Sequence, residues 1–343
     1  MDEAHIGLLT YNTRDLVLEN LESLIESGVS PEALLVWDNA SSDGTAEALA
    51  ARFPAVRSQV SERNLGYAEG MNRIVEALGG DHVILLTADC FTTQGAIERL
   101  RAVLVSDSTI AICGGRLISA RTGRIESEGG TISFPLGIAI ARNKHQEADL
   151  LVTGPTDVAY VDGAFLALNR GAFSQIGGFD SHFFAYHEEV DLCWRARQKG
   201  YRVVCDPAAQ ATHRTYGSFG SLPSQRWRLA ERNRIGSNVK NLNPLNLAVA
   251  ALAEVGYAVV VFLLVPALGP KGYARAYGRA LMDVARGRLH LRKARRAVQD
   301  ARRVSDDTVL ASHTRLGPKA LFAELNVQRE LFYSGDGSDQ AHS

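Results

Sequence analysis

The chain has 343 residues, of which 46% are hydrophobic and 22% are charged, and its formal net charge is −1. At roughly 100–200 residues per domain, this length predicts one large α/β unit with an appendage or two modest domains. The composition allows a sizeable core and excludes disordered, collagen-like and disulfide-rich classes. Its four cysteines form no CxxC pair, which disfavours a zinc knuckle, and the first residues lack the features of a secretory signal. We therefore expect a cytoplasmic protein.

Apolar runs and amphipathic stretches alternate over the first third of the chain. The segment from His5 to Tyr11 predicts a buried strand, and a helical pattern begins at Asp15. Further strands are predicted at 33–38, 56–61, 82–86 and 110–114, with helices ending near 52, following Gly66 and covering 93–104. This alternation indicates βαβ units and an α/β fold with a mostly parallel, Rossmann-like sheet flanked by helices. Ligands of such sheets bind beyond the carboxyl ends of the strands.

The pattern changes after Gly115 to short β-prone runs separated by turns, and then to a strand-like run at 160–168. A helix is predicted from Glu188 to Lys199, ending at Gly200. From about Trp227 the pattern is helical. We therefore predict two halves of one domain at 1–115 and 116–240, a helical C-terminal extension at 241–333 and a frayed polar tail at 334–343.

Positive charge is concentrated within the predicted extension. From Lys271 to Arg303 the chain has eleven Lys or Arg against two Asp, so this stretch carries +9 and the rest carries −10. Just before it, residues 247–265 are apolar apart from Glu254. A membrane-spanning helix needs about 20 predominantly apolar residues, but Glu254 and the Ala-rich first half favour a helix lying on an anionic membrane surface. An apolar core helix followed by a solvated helix is the alternative, and contact between subunits is a further one.

Two polar segments of the first half follow predicted strands. Asp38 ends the second strand, where its carboxylate could accept hydrogen bonds from a ribose hydroxyl or a base N–H, or could form an Asx-turn. The segment 63–72 places two glycines where a loop enters a helix, so its N–H groups could bind a phosphate or cap the helix. It matches neither a Walker loop nor GxGxxG.

Acidic residues mark the other candidate sites. Asp89 follows the strand at 82–86 and could hold Mg²⁺ or Mn²⁺ against a diphosphate, or could cap the next helix. Glu188, Glu189 and Asp191 lie together at a helix start, and the helix dipole alone could explain them. Their aromatic and apolar flanks should raise a carboxylate pKa toward that of a usable base, so we favour a site here. From the residues alone, His213 is interpreted as an ordinary polar residue.

Taken in order, these segments resemble the family 2 inverting glycosyltransferases of the GT-A fold, especially the bacterial rhamnosyltransferase-like branch that elongates cell-surface glycans. The resemblance covers roughly residues 5–240 and depends on the ordered series, since no single piece is diagnostic. The matched pieces are LLTYN at 8–12, DNASSDGT at 38–45, the loop at 63–72, TAD at 87–89, YVDGAF at 160–165, IGGFD at 176–180 and YHEEVDL at 186–192.

The resemblance implies roles for the matched positions. Donor binding is implied for Thr10, Tyr11, Asn12, Asp38, Arg63, Asn64, Gly66, Asn72 and Asp89. Acceptor binding is implied for Asp162, Gly163, Ala164 and Trp194. The general base maps to Glu189, with Glu188 and Asp191 as the other candidates. Asp89 and His213 match the metal site.

The implied reaction is inverting transfer of a sugar from a nucleotide-sugar donor to a hydroxyl of a cell-surface glycan or lipid-linked acceptor, assisted by Mg²⁺ or Mn²⁺. The branch resembled implies rhamnose, and the apolar and basic C-terminal stretch predicts a position at the inner face of the plasma membrane; no nucleic-acid partner is expected, and an oligomer stays open. A non-catalytic glycan-binding or scaffold relative is the main alternative, because Thr87 and Glu189 occupy positions where the family usually has Asp. A sugar-1-phosphate nucleotidylyltransferase is disfavoured, because residues 8–15 lack a Gly-rich basic loop.

Overall fold

The computed structural model describes residues 5–149, 154–214, 223–268, 272–311 and 314–315. The chain divides into two compact units. The first comprises Met1–Ile132, Ala139–Gly220 and Asp300–Ser312, and the second comprises Ser133–Ile138, Ser221–Gln299 and His313–Ser343. The sequence-based division at residues 115 and 240 stays a prediction, and the predicted tail at 334–343 lies outside the described residues.

Strands and helices alternate in the first third of the chain as the sequence predicts. The described strands are β1 His5–Thr10, β2 Leu34–Asp38, β3 Arg57–Val60, β4 His82–Thr87, β5 Cys90–Thr92, β6 Ile110–Ser119, β7 Ile125–Ser127, β8 Gly130–Phe134, β9 Ala139–Ala141, β10 Thr156–Asp157, β11 Phe165–Asn169, β12 Arg202–His213 and β13 Thr314–Arg315. The described α-helices are α1 Arg14–Glu26, α2 Thr45–Arg52, α3 Gly66–Ala77, α4 Ala96–Ser106, α5 Arg170–Ile176, α6 Glu188–Gln198, α7 Pro223–Asn241, α8 Pro244–Leu263, α9 Val265–Leu268, α10 Tyr273–Arg286, α11 Arg288–Asp300 and α12 Asp306–Leu310.

One large sheet organises the first unit. Its strand order is β10-β12-β6-β11-β4-β1-β2-β3, with β5 paired to β12 and β7 paired to β6. Strands β4, β1, β2 and β3 are mutually parallel, as predicted. The later part of the sheet is mixed, because β11 runs antiparallel to both β4 and β6, while β12 is parallel to β6. A separate small sheet pairs β8 with β9 and with β13.

The central strands are buried because helices cover the sheet. Ile6, Leu8, Ile84 and Leu86 are almost completely buried, which is typical of parallel strands covered on both faces. Each such side chain contributes roughly 1.5–3 kcal/mol relative to exposure. The helix α3 packs so closely on β1 that a Cβ at Gly7 would lie 2.0 Å from the Ile74 side chain. This close packing holds α3 against β1.

The second unit is built mainly from helices α7 to α11, and a buried ion pair links two of them. Arg234 of α7 lies 2.6 Å from the Oε1 atom of Glu254 on α8 and also pairs with Glu231 at 2.8 Å. The hydroxyl of Tyr277 on α10 donates to the same Glu254 carboxylate at 2.7 Å. Among the described residues, α8 is the one helix that is long and apolar enough to cross a membrane, with a mean hydropathy of 2.0.

Candidate active site

The carboxyl ends of β1, β2 and β4 bring the predicted donor-side residues to one edge of the sheet. Thr10 at the end of β1 pairs directly with Asp38 at the end of β2. On the other side of β1, the N–H of Ala88 donates to the carbonyl of Leu9 at 3.1 Å. Asp38 and Asp89 therefore lie at the same edge, where α/β sheets bind their ligands.

Asp38 forms the turn considered from the sequence and leaves its other carboxylate oxygen unpaired. Its Oδ1 atom accepts a hydrogen bond from the N–H of Ser41 at 2.9 Å, which forms a turn. Its Oδ2 atom is buried and has no hydrogen-bond partner among the described residues. An unpaired buried acceptor typically costs about 1–3 kcal/mol. The protein therefore leaves this oxygen without a hydrogen-bond donor, which a group of a bound molecule could supply.

The loop after β1 is tied to the loop after β2. Asn12 has a φ of +51°, and its Oδ1 atom accepts from the N–H of Ser42 at 2.8 Å while its own N–H donates to Ser41 Oγ at 2.8 Å. The buried Thr10 hydroxyl lies 2.8 Å from that of Thr13, and Tyr11 is half-buried. Asn12 thus fixes the two loops to each other.

The loop before α3 is held by an asparagine that sequence reasoning did not assign. Asn39 donates to Asn64 Oδ1 and to the carbonyl of Gly66, each at 3.0 Å, and accepts from the N–H of Leu65 at 2.9 Å. Its place beside Asp38 in the quoted motif was the available signal. Arg63, at the start of this loop, is exposed.

The same loop contacts the segment that precedes the acidic motif. Gly66 has a φ of +80°, and a Cβ there would lie 2.5 Å from the carbonyl oxygen of Phe184. The N–H of Ala68 donates to that carbonyl at 3.1 Å. Further along α3, the amide of Asn72 both donates to and accepts from the backbone of Phe179, each at 2.9 Å. Asn72 therefore braces the predicted acceptor side, and we leave it out of the proposed donor site.

Asp89 and His213 meet, as the predicted metal site requires. His213 ends β12, where it pairs with Cys90 of β5, and its Nε2 atom lies 3.5 Å from Asp89 Oδ2. The other ring nitrogen, Nδ1, lies 3.1 Å from Glu126 Oε2. Glu126 belongs to the short strand β7, and sequence reasoning missed it because no local pattern marks it.

Charge on these three residues is strongly coupled. Burial alone would lower the pKa of His213, but its hydrogen bonds with Asp89 and Glu126 and their charges raise it well above its ordinary value. Burial alone would raise the pKa of Asp89, but hydrogen bonding with His213 and its charge bring it below the ordinary value.

The donor set fits a divalent ion that is shared with a phosphate-bearing ligand. Within the described ranges no cluster of three His, Cys, Asp or Glu side chains could hold a metal by itself. A carboxylate and an imidazole do converge here, and Mg²⁺-type ions are commonly bound by one or two carboxylates together with substrate phosphates. A metal-binding histidine also usually directs its second nitrogen to a carboxylate or carbonyl, as His213 does toward Glu126.

The backbone before α6 is unusual. Phe184, Tyr186 and His187 all have positive φ, at +66°, +70° and +71°. At Phe184, ψ is −65° and the N–H of Ala185 donates to the carbonyl of Phe183 at 2.8 Å, which is a strained γ-turn. Such non-glycine conformations cost on the order of 1–3 kcal/mol each and are concentrated at functional sites. This turn delivers the acidic motif at the start of α6.

The first two acids of the motif are held in a poorly solvated environment. Glu188 is 5% exposed, and its Oε2 atom is buried with no hydrogen-bond partner in the described part of the chain. Burial, and then the charge of Glu189, raise the pKa of Glu188 well above its usual range. Glu189 is half-buried. Burial, and then the charge of Asp162, raise the pKa of Glu189 to about 8.

The third acid has a different environment. Asp191 is fully buried, and its Oδ2 atom accepts from Nε of Arg195 at 2.8 Å. The same guanidinium donates to the carbonyls of Ile176 and Gly178. Asp191 therefore anchors α6 to the loop after α5, and the i, i+4 spacing of the pair was a signal available in the sequence. We do not include it in the proposed catalytic group.

The predicted acceptor-side residues connect the two carboxylate groups. Asp162 precedes β11, whose first residue pairs with Leu86 near the end of β4. Its Oδ1 atom accepts from the N–H of Ala164 at 3.0 Å, and the carbonyl of Ala164 accepts from the N–H of Thr87 at 3.1 Å. Burial raises the pKa of Asp162, while the charge of His213 opposes that shift. Asp162 thus interacts electrostatically with both Glu189 and His213.

Tyr67 closes this arrangement from α3. Its hydroxyl donates to the carbonyl of Gly163 at 2.6 Å, and a Cβ at Gly163 would lie 2.7 Å from that hydroxyl. Burial, and then the charges of Glu188, Glu189 and Asp162, raise the pKa of Tyr67 well above its ordinary value. Trp194, by contrast, is 1% exposed within α6, so an acceptor could not reach it and we leave it out of the proposed site.

An α/β sheet with an unsatisfied carboxylate at one strand end, a carboxylate–imidazole pair at another and acids of raised pKa beside them is typical of an enzyme active site. The glycosyl transferase family 2 model matches residues 6–177, so the chain belongs to this family and is a glycosyltransferase, as the sequence predicts. The chain is 30% identical over 247 residues to N-acetylglucosaminyl-diphospho-decaprenol L-rhamnosyltransferase of Mycobacterium tuberculosis, covering 65% of this chain and 80% of that relative.

Two solved structures share the fold. GalNAc-T7 with UDP, GalNAc and Mn²⁺ superposes with a TM-score of 0.57 at 16% identity, covering 82% of this chain and 55% of that one. The mannosyltransferase PcManGT from Pyrobaculum calidifontis, in complex with GDP-Man and Mn²⁺, gives a TM-score of 0.52 at 16% identity, covering 99% and 89%. The predicted α/β GT-A fold with a helical C-terminal extension is therefore confirmed.

Proposed function

We propose that the chain is an inverting glycosyltransferase that moves a sugar from a nucleotide-sugar donor to a hydroxyl group of a glycan or lipid-linked acceptor. The observation that carries the proposal is the position of Asp162, coupled electrostatically both to Glu189 and to His213. The proposed proton acceptor and the proposed metal-binding histidine thereby both lie close enough to one carboxylate to interact with its charge. Rhamnose is the proposed sugar, because the Mycobacterium tuberculosis relative is named a rhamnosyltransferase.

Glu189 is the proposed general base. It removes the proton of the acceptor hydroxyl as that oxygen attacks the anomeric carbon, and the nucleoside diphosphate leaves from the opposite face. A pKa of about 8 suits this role, because a base works best when its pKa lies near the working pH. Glu188, whose pKa is raised by burial and then by the charge of Glu189, is the second candidate.

Asp38 is proposed to bind the nucleoside, since its free Oδ2 atom can accept a hydrogen bond from a ribose hydroxyl or base N–H. Asp89 and His213 would hold Mg²⁺ or Mn²⁺, and Glu126 would orient His213. A bound ion would supply positive charge to the departing diphosphate. The exposed Arg63, together with Asn64 and Gly66 in the loop before α3, is proposed to complete the donor side.

The acceptor side is proposed to lie around Asp162 to Ala164. The relative acts, by its name, on a diphospho-decaprenol-linked sugar, and a similar lipid-linked acceptor is proposed for this chain. Such an acceptor would place the reaction at the cytoplasmic face of the plasma membrane.

The test is transfer and donor hydrolysis by the Glu189→Gln variant with a panel of dTDP-, UDP- and GDP-sugars, with and without Mn²⁺. We expect transfer to fall by at least about 10²-fold, the usual contribution of a general base, while donor binding measured by calorimetry is unchanged. Glu76→Gln is the matched control, because Glu76 is exposed on α3. Near-normal turnover of Glu189→Gln would contradict the assignment of the base, and absence of turnover in the wild-type chain with every donor would favour a non-catalytic scaffold.

A further inference from the structure

The helix α8 exposes an apolar face. Six large apolar residues recur along it every three or four positions, and all have exposed side chains: Leu245, Val249, Leu252, Val255, Val259 and Leu263. Leu252 is 75% exposed and Leu263 is 71% exposed. Monomeric soluble proteins rarely present a contiguous apolar strip of this kind, and such strips mark surfaces for membranes or partners.

The opposite face of α8 is fixed within the second unit. Ala250, Tyr257 and Val261 are buried, and they lie on the side of the helix that carries Glu254. Glu254 is held by Arg234 and Tyr277, as described above. Crossing a bilayer would require this face to leave its core and would separate a buried ion pair. Helix α8 can therefore contact the apolar part of a membrane along one of its faces only.

The two helices that follow expose cations. On α10 and α11 the exposed basic residues are Arg275, Arg279, Arg286, Arg288, Arg292, Lys293 and Arg296. They recur at helical spacing and are accompanied by exposed apolar side chains, Met282 and Leu289. An apolar face combined with Lys- and Arg-rich helices is the signature of an element that lies in the plane of a membrane interface.

We propose that the second unit docks on the surface of an anionic membrane, with the exposed face of α8 at the boundary between headgroups and acyl chains and with α10 and α11 near lipid phosphates. Charge complementarity selects this occupant, because seven exposed cations accompany the apolar strip and a neutral protein partner would leave them unmatched. The inference deepens the proposed function, since a lipid-linked acceptor would be met at that surface, but it concerns binding and does not depend on sugar transfer.

The test is flotation of the full chain with vesicles of phosphatidylcholine alone or mixed with phosphatidylglycerol, at low and high salt and without any sugar donor. We expect binding to the anionic vesicles at low salt and weaker binding as salt screens the charges. Leu252→Asp should weaken vesicle binding by at least about tenfold, since it places a charge where the proposal buries a leucine side chain among acyl chains. The double variant Arg292→Glu, Lys293→Glu should weaken binding by a similar factor, because two charges attracted to anionic lipid become repelled by it.

Two controls match these changes. Val105→Asp replaces a valine that is 61% exposed on α4 of the first unit, and Arg57→Glu with Arg121→Glu reverses two exposed charges there. Both controls should bind vesicles like the wild type. No binding to anionic vesicles at low salt would overturn the inference. A stable dimer measured by light scattering would also overturn the inference if Leu252→Asp dissociates that dimer without any change in vesicle binding. In that case a second copy of the chain would cover α8. Transfer activity without vesicle binding would refute the docking surface alone, and the reverse result would refute the proposed reaction alone.

Discussion

Asp162→Asn should move the pH dependence of sugar transfer. The negative charge of Asp162 is, after burial, the largest cause of the raised pKa of Glu189. Because the base must be ionised to accept a proton, kcat/KM should rise with pH, reach half its plateau near pH 8 and level off above that pH. Asparagine removes the charge but keeps the shape, and its Oδ1 atom can still accept the hydrogen bond that Asp162 receives from Ala164.

The expected shift follows from the electrostatics. A like charge near a carboxyl group typically changes its pKa by about 1 unit or more, which corresponds to 1.36 kcal/mol per unit. Burial of Glu189 remains in the variant, so its pKa should fall by roughly one unit and stay above 4.5. At pH values well below the midpoint, kcat/KM is proportional to the ionised fraction of Glu189. At those pH values, kcat/KM relative to its plateau value should therefore be about tenfold higher in the variant.

The assay is the pH profile of kcat/KM between pH 5.5 and 9.5, and the readout is the midpoint of the acid limb. The plateau value of kcat/KM is not used as a readout, because Asp162 is also proposed to contact the acceptor and its substitution could change that value directly. Asp81→Asn is the control, since Asp81 is exposed just before β4, at the far end of that strand. A limb that stays in place in Asp162→Asn, or that moves equally in Asp81→Asn, would refute the coupling between Asp162 and the base.

Three further changes test the site by stability and binding. Glu189→Gln should raise the free energy of unfolding by on the order of 1–3 kcal/mol at pH 9 and by little at pH 5. The reason is that the pKa of Glu189 is raised from 4.5 to about 8 in the folded state, so the stability of the wild type falls as the pH rises between these two values. Equal effects at both pH values would exclude the raised pKa. Asp38→Asn should weaken nucleotide binding in calorimetry by about tenfold, because a free acceptor becomes an N–H donor, and unchanged affinity would remove Asp38 from the site. Gly66→Ala should lower Tm and activity far more than Gly95→Ala, because both glycines have positive φ but only Gly66 abuts Phe184, and equal losses would show that φ alone matters.

Most of the first unit could be predicted from local patterns. The strands β1, β2 and β4 are short apolar runs, and α3 and α4 carry the expected periodicity, so the order of these elements predicts the sheet edge at which Asp38 and Asp89 lie. The stop of α6 was also local, since Gly200 has a φ of +89°. Helix α4 begins at Ala96, three residues later than predicted, because Gly95 at its N-cap takes a left-handed conformation.

The remaining features depend on contacts between distant parts of the chain. Glu126 reaches His213 across 87 positions, and Asn39 holds a loop that begins 25 residues later. The antiparallel direction of β11 depends on the long segment that precedes it, and no local sequence pattern predicts that direction. In the sequence, Glu254 argues against a membrane-spanning helix, and in the structure it forms an ion pair with Arg234, twenty residues earlier. A single charge in an apolar helix therefore indicated a buried ion pair.

The site is recognisable because several features that lower the stability of the fold lie in one region. Asp38 and Glu188 each have a buried oxygen without a hydrogen-bond partner among the described residues, Glu189 is held where its ionised form is disfavoured, and the turn at 184–187 contains three positive-φ residues. Each feature lowers stability by an amount that folding alone gives no reason to retain. The loop at Gly66 and the hydroxyl of Tyr67 link the acidic turn to the sheet edge, so these unfavourable terms share one region. A ligand that donated hydrogen bonds to the free oxygens and to the ionised carboxylate of Glu189 would relieve the first two costs together, which is what binding of a nucleotide-sugar and a hydroxyl acceptor would do.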